Sequence, residues 1–299
     1  MFAYRTKTLL AGALLLAGTA GPAAAQTIVV GGKNFTEQQI LTAMTAQLLE
    51  ANGYDVDQRG GMGSAAVRQA MENGQIDVYW EYTGTSLITY NGIEEKLGPE
   101  ETYETVKELD AEKGIVWLDP SAANNTYALA MRSADAAEKG ISTISDLAAA
   151  INDDAGITLA SNAEWYARPD GFRPLQETYG FEMSRSDVKR MDSGLVYEAL
   201  RNEDVDVGLV FATDGRIPAF DFTVLEDDMG FFPAYALAPV VRDNVLEANP
   251  ELGDLLNQLS SKLDDDTMAR LNAQVDVERV SIENVAANFL QQQGLASSS

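Results

Sequence analysis

Short apolar, β-branched runs alternate with amphipathic stretches from Thr27 to about Val241, and glycine, asparagine and aspartate punctuate the joints. This is the rhythm of an α/β protein, in which strands alternate with helices that cover a sheet face. The pattern predicts strands over TIVVGG (27–32), IDVYWEY (76–82), TYALAM (126–131), ITLAS (157–161), VDVGLVF (205–211) and YALAPVV (235–241). Helices are expected to begin at Thr36, Ser64, Ser145 and Ser193, each a candidate N-cap ahead of an apolar-periodic run. Beyond Asp243 the periodicity is helical and closes on SIENVAANFLQQQGL.

One internal match organises these elements. Laid without gaps over VYEALRNEDVDVGLVFAT (196–213), the segment VRQAMENGQIDVYWEYTG (67–84) pairs Val67 with Val196, Ala70 with Ala199, Asn73 with Asn202, Asp77 with Asp206 and Val78 with Val207. Ile76 then meets Val205, and Tyr82 meets Phe211. Two similar lobes would produce this match, and so would the packing demands common to any two helix-then-strand units. If the lobes are real, Tyr82 and Phe211 look at each other across a crevice, because open α/β sheets bind ligands beyond the carboxyl ends of their strands.

Composition narrows the chemistry. The chain has 299 residues, 45% of them hydrophobic, enough for one large or two ordinary domains. Arg5 and Lys7 precede an apolar run from about Leu9, and Ala23-Ala24-Ala25 stand before Gln26, the three-part pattern of a cleavable secretory leader over residues 1–25. No later stretch approaches the roughly 20 apolar residues of a membrane helix. The mature chain is therefore expected to be exported to the periplasm without inserting into a membrane. It contains no cysteine and no histidine, which removes disulfides, thiolate nucleophiles, the usual general base and the usual metal ligands. No metal or cofactor is expected. Without the leader, 19 basic residues face 46 acidic ones, a net charge of about −27. Such a charge disfavours nucleic acid and anionic membranes and mildly favours cationic ligands, although a solubilising or salt-adapted surface explains it equally well.

Catalytic motifs are weak. Ser186-Asp-Val-Lys189 fits S-x-x-K without its companion motifs. Gly31-Gly32-Lys33 lacks the remainder of a phosphate loop, and Asp264-Asp265-Asp266 lacks calcium-loop spacing. A carboxylate-dependent hydrolase is the remote alternative, since many acid pairs exist but none stands out.

The stretch DVYWEYTGT (77–85) instead crowds three aromatics around one acid at a strand exit. Aromatic walls suit a quaternary ammonium, which has no N–H to donate. Each desolvated cation–π contact contributes about 0.5–2 kcal/mol while the methyl groups gain apolar contact.

Taken together, GGKNFTEQ (31–38), EYTGT (81–85), ARPDGF (167–172), MDSGLVYEAL (191–200), ATDG (212–215) and LEDDMGFFPAY (225–235) resemble the osmoprotectant-binding periplasmic components of ABC importers, of the glycine betaine and choline type. The resemblance implies a two-lobed, type II-like periplasmic-binding-protein fold. Two crossing hinge strands, near 127–131 and 231–235, would divide it into lobe I (26–128 and 233–299) and lobe II (129–232). It implies a non-enzymatic, monomeric receptor that hands a small quaternary-ammonium ligand to ABC permease subunits. Tyr82, Tyr127, Phe211 and Tyr235 match ring positions of the family's cage, with Phe211 standing where relatives often carry tyrosine. Lys33, Thr85 and Arg168 match its carboxylate anchors. Trp165 and Tyr166, just before Arg168, depart from the simpler pattern and are expected to reshape the pocket for a larger ligand. Choline, a larger betaine such as ergothioneine and another amino-acid-like zwitterion remain alternative cargoes. A polyamine fits less well, because it calls for acids at both ends of the pocket.

Overall fold

The structure, a computed structural model, describes residues 27–296; the expected leader lies outside them. The strands are β1 (Ile28–Lys33), β2 (Val56–Met62), β3 (Val78–Tyr82), β4 (Ile115–Trp117), β5 (Tyr127–Arg132), β6 (Leu159–Ser161), β7 (Val188–Arg190), β8 (Val207–Phe211), β9 (Phe222–Val224) and β10 (Leu237–Arg242). They form two five-stranded sheets, ordered β2-β1-β3-β10-β4 and β7-β6-β8-β5-β9. In each sheet the first three strands run parallel and the last two pair antiparallel. Helices cover both, and each sheet contributes to its own apolar clusters, including one around Trp80, Tyr82 and Tyr235 and another around Trp165 and Phe172.

The internal sequence match is a topological equivalence. β3 and β8 hold the same central place in their sheets, each preceded by a helix, Ser64–Glu72 or Ser193–Arg201. The paired aspartates also do the same job. Asp77 accepts from the Val29 backbone N–H at 2.9 Å, and Asp206 accepts from that of Thr158 at 2.8 Å. Each carboxylate also faces an arginine at the end of the neighbouring antiparallel strand: Arg242 at 2.7 Å from Asp77, and Arg132 at 4.0 Å from Asp206. A charge at this spot pins a parallel junction in either sheet, so the shared Asp reflects more than helix patterning.

Two expectations change. The segment 127–131 is not a crossing: it pairs with both β8 and β9 inside the second sheet. The chain crosses just before it, between β4 and β5, and returns between β9 and β10, where an isolated bridge joins Asn124 to Ala236. The expected N-caps also shift by a residue or two. The helices are Thr36–Ala51, Ser64–Glu72, Ile144–Asn152 and Ser193–Arg201, and their caps are Phe35, Gly63, Thr143 and Asp192. Only Thr143 caps with its side chain, in a box with Asp146. The other three helices begin uncapped, with N-terminal residues that line a cleft between the sheets.

Candidate functional site

That cleft has a volume of about 870 Å³, within the range of small-solute sites. The carboxyl ends of β1, β3 and β8 reach it with Lys33, Tyr82 and Phe211. Because β5 and β10 run the other way, their amino ends reach it too, delivering Tyr127 and, two residues before β10, Tyr235. Thr85, in the π-helical turn that follows β3, completes the set. Six of the seven residues singled out in the sequence thus share one cavity. Arg168 stands immediately behind it, its guanidinium nitrogens 3.5 Å from the Thr85 hydroxyl and its centre 5.6 Å from the Tyr127 ring.

The rings form a connected wall. Tyr127 lies 5.3 Å from both Phe211 and Tyr235, edge-on to the latter. Tyr82 and Phe211 do not meet face to face, as the internal match suggests. Phe35 stands between them, stacked on Phe211 at 5.3 Å and 7° and on Tyr82 at 6.1 Å and 27°. Phe35 went unrecognised because a single phenylalanine before a helix carries no periodic signal. It supplies Phe211 with the fixed neighbour that a tyrosine hydroxyl would otherwise provide. Gly84 is required by the same wall: a Cβ there would sit 2.7 Å from the Ala234 carbonyl and 2.9 Å from the Tyr235 ring.

Trp165 and Tyr166 do not line the cleft. Asn162 caps the short helix Ala163–Ala167 by accepting from the Trp165 N–H, and this turn sends the indole into the second core, behind Tyr127 at 6.4 Å. Tyr166 stacks on Phe172 and lies under Arg190. These residues support the wall and do not enlarge the pocket. Trp80 likewise backs the site, its indole N–H donating to Thr45 at 2.8 Å.

Both cations expected to anchor a carboxylate already have partners. Lys33 Nζ lies 2.5 Å from Glu81, the acid between the rings of DVYWEYTGT, and both side chains are buried. Glu81 also accepts from the Tyr79 hydroxyl at 2.9 Å and the Tyr82 N–H at 2.7 Å. Arg168 grips Asp170 with two bonds, at 2.7 and 2.6 Å, and Asp170 also accepts from the Tyr235 hydroxyl. Burial works to lower the Arg168 pKa, but Tyr127 and the doubly bonded Asp170 beside it raise it. Arg216 repeats the fork with Asp214 at 2.9 and 2.6 Å. The cleft therefore presents aromatic faces, acids, cations already paired with acids and the exposed Arg190, together with the uncapped helix starts at Thr36, Ser64 and Ser193. Such N-termini offer backbone N–H groups to an anion. At Ser64 that N–H donates to Glu164 Oε2, from the other sheet's side of the cleft, at 3.4 Å.

Glu37 is the second residue that escaped the sequence reading. It lines the cleft from the first turn of the helix Thr36–Ala51 and is fully buried. Burial raises its pKa, against the opposing effect of hydrogen bonds from Thr213, Tyr82, Asn125 and Asn272. In a chain with 46 acids, nothing local marks this one.

Residues 26–292 match the family described as the substrate binding domain of ABC-type glycine betaine transport systems. The chain belongs to this family. It is 49% identical over 282 residues to a glycine-betaine-binding protein of Pseudomonas aeruginosa, covering 92% of this chain and 91% of that protein. It is 32% identical to the glycine betaine-binding protein YehZ of Escherichia coli, covering 91% and 92% of the two chains. A solved structure titled as a glycine betaine/carnitine/choline ABC transporter superposes with a TM-score of 0.73 at 30% identity, over 90% of this chain and 99% of that one. The family comprises solute-binding components of importers, so this member is a binding protein and not an enzyme. Among the described residues no helix is long and apolar enough to cross a membrane.

Proposed function

We propose that this family member is the periplasmic receptor of an ABC importer, capturing a quaternary-ammonium osmoprotectant of the glycine betaine class and passing it to permease subunits. The observation that carries this reading is the convergence of Tyr82, Tyr127, Phe211 and Tyr235, from strands of both sheets and the segment leading into β10, on one cleft. A trimethylammonium group gains from such faces what a primary amine would sooner take from acids. Residues 1–25 act as a cleaved export leader, and the mature receptor works as a monomer. Lobe I comprises 26–128 and 233–299, and lobe II comprises 129–232. Contacts from both lobes make the closed form bind better, so ligand shifts the population toward closure.

A second reading, choline as cargo, is favoured by the pairing of Lys33 with Glu81 and of Arg168 with Asp170. A ligand carboxylate would have to share these cations with acids that already hold them, whereas an alcohol would not. Titration calorimetry of the mature protein with glycine betaine, choline, proline betaine, carnitine, ergothioneine and a polyamine separates the readings. Saturable binding of a methylated ammonium compound supports the proposal. Binding of the polyamine alone refutes it, and tighter binding of choline than of glycine betaine selects the second reading.

A further inference from the structure

The Glu37 carboxylate joins four segments in the cleft. Its Oε1 accepts from the Tyr82 hydroxyl at 2.7 Å and the Asn125 amide at 2.8 Å; its Oε2 accepts from the Thr213 hydroxyl at 2.5 Å and the Asn272 amide at 3.3 Å. Tyr82 ends β3 in the first sheet, and Asn125 lies in the crossing segment. Thr213 follows β8 in the second sheet, two residues beyond Phe211, and Asn272 lies on the helix Asp265–Asp276. We propose that Glu37 is a positioning residue for ligand capture, which fixes the Tyr82 ring through its hydroxyl and ties it, through Thr213, to the segment that carries Phe211. This inference rests on the aromatic-cleft reading above and adds to it the group that aligns the two sides.

The donor pattern explains why a carboxylate is needed. Each oxygen receives one hydroxyl, which can reverse its role, and one amide N–H, which cannot. The Asn272 amide also donates to the Thr213 carbonyl at 2.9 Å, which fixes its orientation. A glutamine at position 37 would aim its own NH₂ at one asparagine NH₂ whichever way it turned. The first turn of the helix further favours the ionised acid.

The test is a double-mutant cycle read on the Kd for glycine betaine, with choline as a second probe and thermal unfolding recorded for each variant. Glu37→Gln should weaken binding by about tenfold, and Tyr82→Phe by a few-fold, as expected for loss of a charge-assisted hydrogen bond. In the Tyr82→Phe background, the Glu37→Gln loss should shrink several-fold, because the two act through one bond. Wild-type affinity for Glu37→Gln, or losses that multiply independently, would overturn the inference. Should Glu37→Gln not fold, Thr213→Val decides in its place: it removes only the cross-cleft bond, and its loss must also shrink when paired with Tyr82→Phe. Tyr82→Ala separates the layers. If it leaves both Kd values unchanged the cleft reading itself fails, whereas a loss there with a silent Glu37→Gln defeats only this inference.

Discussion

Replacing Phe211 with leucine removes a π face while keeping a large apolar side chain. In the structure that ring is half-buried, stacked on Phe35 at 5.3 Å and tilted against Tyr127 at 5.3 Å, with the remainder open to the cleft. Losing one cation–π contact of about 0.5–2 kcal/mol should raise the Kd for choline or glycine betaine by roughly 2- to 30-fold. The ring also stabilises the free protein: two aromatic pairs at about 0.5–1.5 kcal/mol each put the expected stability loss near 1–3 kcal/mol. Urea unfolding would measure that loss separately, and calorimetry would be run where both proteins are fully folded. The decisive comparison uses choline and its neutral carbon isostere, 3,3-dimethylbutan-1-ol, which has the same shape and no charge. Wild type should favour choline, and Phe211→Leu should narrow that preference by most of its affinity loss. An unchanged preference, or equal losses for both compounds, would refute a role for the ring's electrons and leave only packing.

Three further outcomes follow from the geometry. Gly84→Ala forces a Cβ against the Ala234 carbonyl and the Tyr235 ring, and should cost about 1–3 kcal/mol in unfolding assays and weaken glycine betaine binding; a neutral effect on both would show that Tyr235 can move freely. Arg168→Met strands the buried Asp170 carboxylate and should destabilise by about 3–5 kcal/mol, with part recovered in Arg168→Met/Asp170→Asn; no recovery would contradict the pairing. In the variants that still bind, glycine betaine should lose more affinity than choline if Arg168 also serves a ligand carboxylate, and equal losses would remove that role. Burial alone would raise the Asp110 carboxyl, but hydrogen bonds and charge from Arg68, with Trp117 and Asn91, hold its pKa at about 2, below the ordinary 3.8. Its contribution of about 2 kcal/mol is complete above pH 3.8 and is lost as pH falls through 2, so the stability gap between wild type and Asp110→Asn should close over that range; a constant gap would contradict it.

The parts of this fold visible in the sequence are those repeated by geometry. The six central strands announce themselves because β-branched and apolar residues recur where both sheet faces are covered, and the Asp77/Asp206 register shows because each carboxylate pins an equivalent junction. The strands that escaped are β2, β4, β7 and β9, the edges of the two sheets, three of them only three residues long and β2 largely exposed. They lack the length or the apolar run that periodicity requires. The candidate site divides along similar lines. Tyr82 and Phe211 sit at strand ends, whose position the pattern gives, and Tyr127, Tyr235, Lys33, Thr85 and Arg168 were reached through motif resemblance. Phe35 and Glu37 were invisible because their neighbours come from Phe211, Thr213 and Asn272, more than 170 residues away in the chain. The partners of Lys33 and Arg168 were also hidden, although Asp170 lies two residues from Arg168: sequence shows adjacency, but only the fold shows that the fork closes inward.

A crystal structure of the mature protein grown with glycine betaine tests the central claim most directly. The quaternary nitrogen is predicted to lie within about 6 Å of the ring centroids of at least three among Tyr82, Tyr127, Phe211 and Tyr235. A ligand bound outside the cleft, or held there by Glu164 and Asp192 with the rings untouched, would contradict the account.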